Sequence, residues 1–281
     1  MLGIIGGSGL YALDTLENIN QHDIDTPFGN PSAPVIEGKL NSQNLFFIAR
    51  HGQSHQFLPS EVNYRANIYA LKSLGVKTVL SVSATGSLRE DYRPGDMCLV
   101  AQYFDHTRGK REPSFFGGGV SAHVSMARAA CPVLTSDVEK AAKNLGLVLH
   151  GGATYACVEG PRLGTRAESF FLRNAKCDLV GMTNVPEAFL VREAQMGYLT
   201  LAIVTDYDCW KDDPDEHASV EEVFATYKAN IEKVKNIINA LCESEISETP
   251  DWIRNALKGS VLTPDSALSN DQKAWLNVLR S

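Results

Sequence analysis

Short apolar runs, each closed by glycine, hydroxyl or charged residues, recur from Leu2 to Val204 and leave this chain few folds to choose from. They cover 2–5, 45–49, 78–82, 97–100, 154–158, 179–182 and 198–204. Runs this short with turn residues at both ends predict buried strands. Helical spacing lies between some of them. Ser60 precedes Val62, Ala66, Tyr69, Ala70 and Leu74, with Gly75 as the stop. Ser136 and Glu139 predict a capping box for a helix ending near Gly146, and Ser219 with Glu222 predicts another. The second box opens a long amphipathic pattern of Val220, Val223, Phe224, Tyr227, Ile231, Val234, Ile238 and Leu241. Strands mixed with helices, without repeats or a linker, predict a single α/β domain over 1–281, a mixed twisted central sheet flanked by helices. Residues 251–281, with Pro264, Trp252 and Trp275, read as a C-terminal tail packing at a subunit interface.

Charge narrows the partners. Lys and Arg total 26 against 33 Asp and Glu, a net charge of −7 over 281 residues, the wrong sign for a general polyanion binder. Nucleic acid is not expected, and an anionic ligand needs donors gathered locally. No apolar run reaches the roughly 18 residues of a membrane span, and the start of the chain is too short and uncharged for a signal peptide. No membrane association and a cytoplasmic location are expected. The 6 cysteines form no CxxC pair, so neither a metal site nor a disulfide framework is implied, and they read as mostly buried thiols.

In an open α/β sheet, ligands lie beyond the carboxyl ends of the strands, so the residues following each run matter most. After 2–5 comes Gly6-Gly7-Ser8-Gly9, where glycines allow backbone N–H groups to approach an anion and Ser8 adds a hydroxyl. After 45–49 comes Arg50-His51-Gly52, whose guanidinium matches two phosphate oxygens. Ser83-Ala84-Thr85-Gly86-Ser87 follows the next run, and Met182-Thr183-Asn184 a later one. Thr205-Asp206-Tyr207-Asp208-Cys209-Trp210 puts two acids beside aromatic surface. Each piece alone has a plain structural reading as a turn, an ion pair or a core residue; their recurrence at successive strand ends is what points to a site. Gly7-x-Gly9-x-x-Ala12 loosely fits a dinucleotide fingerprint, but the polar stretch to Pro31 has no room for the crossover helix. Arg50-His51-Gly52 also copies the motif of histidine phosphatases, although it follows a later strand than theirs. A non-catalytic nucleoside or phosphate sensor would share the same donors.

The set Ile4-Ile5-Gly6-Gly7-Ser8-Gly9-Leu10, Ala49-Arg50-His51-Gly52, Val62-Asn63-Tyr64-Arg65-Ala66-Asn67, Gly86-Ser87-Leu88-Arg89-Glu90, Glu159-Gly160-Pro161-Arg162, Arg166-Ala167-Glu168-Ser169, Met182-Thr183 and 205–210 resembles the trimeric purine nucleoside phosphorylase family, from about Met1 to Pro264. That resemblance implies a nucleoside phosphorylase-like fold. It further implies phosphorolysis of S-methyl-5′-thioadenosine to adenine and 5-methylthioribose 1-phosphate, with other purine nucleosides such as methylthioinosine as the alternative. Inorganic phosphate is then a co-substrate, no cofactor or metal is expected, and a homotrimer is implied, with pairing of trimers left open. By the same resemblance Ser8, Arg50, His51, Ser83, Ala84 and Thr183 hold phosphate. Met182 lines the sugar, and Asp206, Tyr207 and Asp208 hold the purine with Leu163 nearby. Asp206 acts as the acid. Val220, Val223 and Phe224 flank the 5′ substituent, closed by His123 and Leu262 of the adjacent subunit. Many members carry an aromatic residue and a serine where this chain has Leu163 and Gly164, which makes Gly164, with Val220, an expected specificity position.

Overall fold

The computed structural model of the protein describes residues 1–7, 10, 16–41, 43–213, 217 and 219–281. Nine strands are found among them: β1 (Leu2–Gly6), β2 (Glu17–His22), β3 (Val35–Leu40), β4 (Gln43–Ala49), β5 (Thr78–Ser87), β6 (Met97–His106), β7 (Leu149–Val158), β8 (Leu179–Gly181) and β9 (Gly197–Asp206). In space they run β2-β3-β4-β1-β5-β8-β7-β6-β9, and β5 also pairs with β9. The last five strands therefore close on themselves, while β1, β4, β3 and β2 extend the sheet to one side. β1 is parallel to β4 and β5, and β5 is parallel to β9. β2–β3, β3–β4, β5–β8 and β6–β9 are antiparallel, so the sheet is mixed as the sequence predicts.

Burial explains which strands are readable in the sequence. β1 is buried at all of its residues, and β9 at all but Asp206, because helices cover both faces of the central strands. β2, with the sequence ENINQH, lies exposed at the sheet edge and shows no apolar run. β2 is missing from the sequence reading for this reason, and β3 because Glu37 and Lys39 interrupt its buried residues Val35, Gly38 and Leu40 and leave no apolar run. They also occupy the span where a dinucleotide-binding chain would place its crossover helix.

The helices are α1 (Tyr64–Ser73), α2 (Pro132–Asn144), α3 (Arg166–Asn174), α4 (Asn184–Glu193), α5 (Val220–Cys242), α6 (Asp251–Arg254) and α7 (Asn270–Arg280). Asn63, not Ser60, caps α1, its side chain accepting from the Ala66 N–H at 3.2 Å. The box expected at Ser136 does not form: α2 starts earlier, with Pro132 in its first turn, where the missing N–H costs nothing, and Ser136 lies inside the helix. The Ser219–Glu222 box does form, with the Glu222 N–H donating to Ser219 at 3.2 Å and the Ser219 N–H to Glu222 at 2.7 Å. α5 buries its second half, Ile231, Val234, Ile237, Ile238 and Leu241, against β1, β5 and β9, and leaves Val220 and Phe224 exposed. In the tail, Trp275, Leu276 and Leu279 of α7 are buried in one cluster with Tyr69 and Leu71 of α1 and with Phe115 of the same protomer. No helix among the described residues is long and apolar enough to cross a membrane. Five of the cysteines are buried as expected, and Cys209 is half-buried.

Candidate active site

β5 carries both ends of the site. Ser83 and Gly86 lie three residues apart on it, about 10 Å along an extended chain. At the Ser83 end its hydroxyl meets that of Thr183, just before α4, at 3.2 Å. At the Gly86 end the neighbour is the acid pair: a Cβ at Gly86 would stand 3.0 Å from Asp206 Oδ1 and 3.2 Å from Asp208 Cβ.

Arg50 leaves the end of β4 and turns under the Ser83 end, 2% exposed. Its Nε donates to Glu187 Oε2 at 2.7 Å and its Nη2 to Glu187 Oε1 at 3.0 Å, a two-pronged pair inside the protein. Nη2 also donates to Ser81 at 2.7 Å and Nη1 to the Val82 carbonyl at 3.1 Å. Burial works against the Glu187 carboxylate, yet the Arg50 charge and the hydroxyls of Ser81 and Tyr198, both at 2.7 Å, keep it below the ordinary carboxylate range. Burial likewise opposes the Arg50 charge, and Glu187 more than offsets it. Among the described residues, one Nη1 hydrogen is what Arg50 has left for a ligand. Sequence reasoning missed Glu187, Ser81 and Tyr198: Glu187 meets Arg50 across 137 residues of chain and Ser81 across 31, and Tyr198 joins them only through Glu187.

His51 follows with its Nδ1 at 2.9 Å from the Phe57 carbonyl, so that nitrogen carries the hydrogen and donates. Burial and then the Arg50 charge push its pKa down to about 4. The ring is neutral at pH 7, which leaves Nε2 as an acceptor. His55 stacks on it at 4.6 Å between ring centroids and meets the edge of Phe224 at 6.2 Å, joining this end of the site to the start of α5. A folded-state pKa depressed from 6.5 stabilises the fold above pH 6.5, and that stability is lost as pH falls toward 4. An NMR titration of the ring is expected to show His51 unprotonated at pH 5; a midpoint near 6.5 would contradict the burial described.

The acid end depends on an irregularity in β9. Thr85 pairs with Val204 but Gly86 pairs with Asp206, so Thr205 is an extra residue that re-aims Asp206. Asp206 Oδ1 accepts from the Asp208 N–H at 2.7 Å and Oδ2 from the Thr205 hydroxyl at 2.7 Å. Asp208 adopts φ 55°, which brings its N–H back onto Asp206. Burial, and then the Asp206 charge, push the Asp208 carboxyl up; the nearby Ser169 hydroxyl, buried but without a completed hydrogen bond, pulls it down. Ser169 was not foreseen as a site residue, although it ends the Arg166-Ala167-Glu168-Ser169 motif. Tyr207 lies half-buried with Lys211 over its ring at 4.5 Å, and Leu163 is exposed. Met182 lies between the two ends. Gly160, at φ +68°, lets its Sδ come within 2.5 Å of where a Cβ would be, so only glycine fits there.

One candidate pair stands apart from this cleft. Ala122 and Val261 form an antiparallel bridge, with the His123 N–H donating to Ser260 at 3.0 Å and the Leu262 N–H to Ser121 at 2.8 Å. His123 and Leu262, 139 positions apart in the chain, are thereby diagonal neighbours on one face of the bridge, and both are exposed. Val223 is half-buried beside exposed Val220 and Phe224. Ala84 is half-buried on β5, and Ser8 lies outside the described residues.

The model of the phosphorylase superfamily matches residues 1–242. An S-methyl-5′-thioadenosine phosphorylase of Geobacter sulfurreducens is 41% identical over 279 residues, 99% of this chain and 97% of that protein. One of Thermofilum pendens is 49% identical over 243 residues, 86% of this chain and 91% of its own length. Among solved structures, a methylthioadenosine phosphorylase from an antarctic soil metagenomic library superposes with a TM-score of 0.92 at 42% identity, covering 99% of this chain and 98% of that one. The methylthioadenosine phosphorylase of Schistosoma mansoni in complex with adenine gives 0.86 at 34%, covering 93% and 98%.

Proposed function

The chain belongs to the phosphorylase superfamily, and from that premise we propose that it cleaves S-methyl-5′-thioadenosine with inorganic phosphate, giving adenine and 5-methylthioribose 1-phosphate. The observation that carries this reading is the single strand β5, with hydroxyl donors at Ser83 and an acid pair at Gly86, about 10 Å apart along the chain. A nucleoside fits between them with its purine toward Asp206 and Asp208 and its anomeric carbon toward the donors.

Phosphate is the nucleophile, so the protein's task is to hold it under the sugar, where proximity lowers the barrier most. Ser83, Thr183, the remaining Nη1 hydrogen of Arg50, Ser8 and the main chain at His51 and Ala84 are its donors. Neutral His51 can accept the P–OH hydrogen at Nε2, which suits a monoprotonated phosphate. Charge then builds on the departing purine. Burial and the neighbouring Asp206 charge incline the Asp208 carboxyl to keep a proton, and Asp206, held by the Asp208 N–H, is the group we assign to protonating N7. A 6-amino group donates to a carboxylate, whereas a 6-oxo group needs a donor, so two acids favour adenine over hypoxanthine. Tyr207 and Leu163 flank the base and Met182 the sugar. No cofactor enters the scheme.

Val220, Val223 and Phe224 form an apolar wall left open in one protomer. We assign its cover to His123 and Leu262 of a neighbouring copy in a cytoplasmic homotrimer, where a head-to-tail contact closes after three copies. An apolar wall of this kind favours a methylthio group over a hydroxyl by about 1–3 kcal/mol. Product analysis with methylthioadenosine tests the whole reading: adenine and sugar 1-phosphate are expected only with phosphate present. Free sugar at an equal rate without phosphate, or a phosphohistidine at His51, would overturn it.

Gly164 offers a narrower test. Among the described residues a Cβ there meets only Asp208 Oδ1, at 3.8 Å, so Gly164→Ser is expected to fold as the parent does, within about 0.5 kcal/mol. Its hydroxyl reaches Asp208, and the ratio of kcat/KM for methylthioadenosine over methylthioinosine is expected to shift severalfold. An unchanged ratio would remove position 164 from base selection.

A further inference from the structure

The residues beyond Pro264 are not needed to build the cleft, yet they end in a well-packed helix. We propose that α7, through Gln272, positions the ladder bearing His123 and Leu262 and so sets the geometry of the 5′-substituent site in the neighbouring subunit. This rests on the shared-site reading above.

The ladder hangs from a tip that cannot hold itself. Gly117, Gly118 and Gly119 have φ of 134°, 55° and 98°, and no atom lies within 4 Å of where a Cβ of Gly117 or Gly118 would be. Consecutive glycines lose the most conformational freedom on ordering, so such a tip needs clamps from outside. It has three. Gly117 and Val120 exchange backbone hydrogen bonds at 2.9 and 3.0 Å. The Thr263 hydroxyl donates to Gly119 at 3.2 Å and accepts from the Ser121 N–H at 2.8 Å. Gln272 Nε2 donates to the Gly118 carbonyl at 2.9 Å.

Only the last clamp comes from α7, and α7 is itself anchored. Trp275 packs edge-on against Phe28 at 5.7 Å and tilted against Phe116 at 6.1 Å, beside the tip. Lys72 of α1 donates to the Ser281 main-chain oxygen at 2.7 Å, and Gln195 after α4 donates to the Leu279 carbonyl at 3.2 Å. Gln195 also accepts from the Leu257 N–H at 3.0 Å, just ahead of the second strand of the ladder. The helix is thus a strut between the sheet's α1–α4 layer and the ladder.

Gln272 allows a clean test because its two ends do different things. Oε1 accepts from the Ser269 N–H at 2.8 Å in the capping box, and Nε2 holds the tip. Gln272→Glu keeps the box, since glutamate caps equally well and suits a helix N-terminus, but sets a carboxylate oxygen against the Gly118 carbonyl. The KM for methylthioadenosine is expected to rise about fivefold, the scale of one hydrogen bond lost, with the KM for phosphate and the Tm unchanged. His123→Ala serves as the control. If His123→Ala raises that KM while Gln272→Glu does not, the strut is refuted and the shared site stands. If Gln272→Glu raises both KM values and lowers Tm together, its role is only structural and the inference fails. If His123→Ala leaves the KM untouched, the shared-site reading falls and takes this inference with it.

Discussion

Arg50→Met is expected to cost about 3–5 kcal/mol of stability and to abolish phosphorolysis, because it strands a carboxylate that is 1% exposed. Glu187 would keep the hydroxyls of Ser81 and Tyr198, but two neutral donors do not replace a guanidinium at 2.7 Å. The two losses are separable. Adding Glu187→Gln to Arg50→Met removes the buried charge while leaving an oxygen for Ser81 and Tyr198, so urea unfolding should show much of the stability regained. Activity should stay absent and calorimetry should detect no phosphate binding, since the Nη1 donor is still missing. If the single variant unfolds no more easily than a surface substitution, the buried pair is not as described. If it keeps phosphate-dependent turnover, Arg50 is not a phosphate ligand.

Asp206→Asn should behave in the opposite way, with little change in stability and a large one in rate. An amide fits the same partners: Oδ1 still accepts from the Asp208 N–H, and the Thr205 hydroxyl, 3.2 Å from the Thr85 carbonyl, can donate there and accept from the new amide. What the amide cannot do is give up a proton to N7. Loss of a general acid is worth roughly 10²–10⁴-fold, and kcat on methylthioadenosine is expected to fall by that order. Methylthioinosine should lose less, because the amide can donate to its 6-oxo group. Equal falls on both nucleosides would mean that the acid pair does not select the base, and unchanged rates on both would remove Asp206 from the acid role.

Legibility in the sequence followed how local the cause of each feature is. The Ser219–Glu222 box and the long pattern behind it are readable because every partner lies within one turn. α2 misled because Ser136 and Glu139 satisfy the same spacing inside a helix already begun at Pro132. β2 escaped because an exposed edge strand needs no apolar face, and β5 and β9 proved longer than their apolar runs because their pairing continues into the polar residues of the site. In the site, the hydroxyls and acids at strand ends were visible by type and place. Glu187 was not, since a glutamate inside α4 looks like any solvated helix residue until Arg50 arrives from β4. That His123 and Leu262 would act together was likewise beyond any pattern in the residues and came from resemblance alone.

β5 is also where the chain's tolerance for change in length must end. It pairs with β9 along most of its course, with β1 at Thr78 to Ser81 and with β8 at its tip, and it separates Ser83 from Gly86 by a fixed number of peptide units. Inserting or deleting one residue between them would turn the residues that follow to the opposite face and break register with β9 and β8 together. Descendants of this sequence can therefore lengthen or shorten at the β3–β4 turn near Asn41, at the sheet's open side. The spacing inside β5 is a quantity that drift cannot alter by small steps.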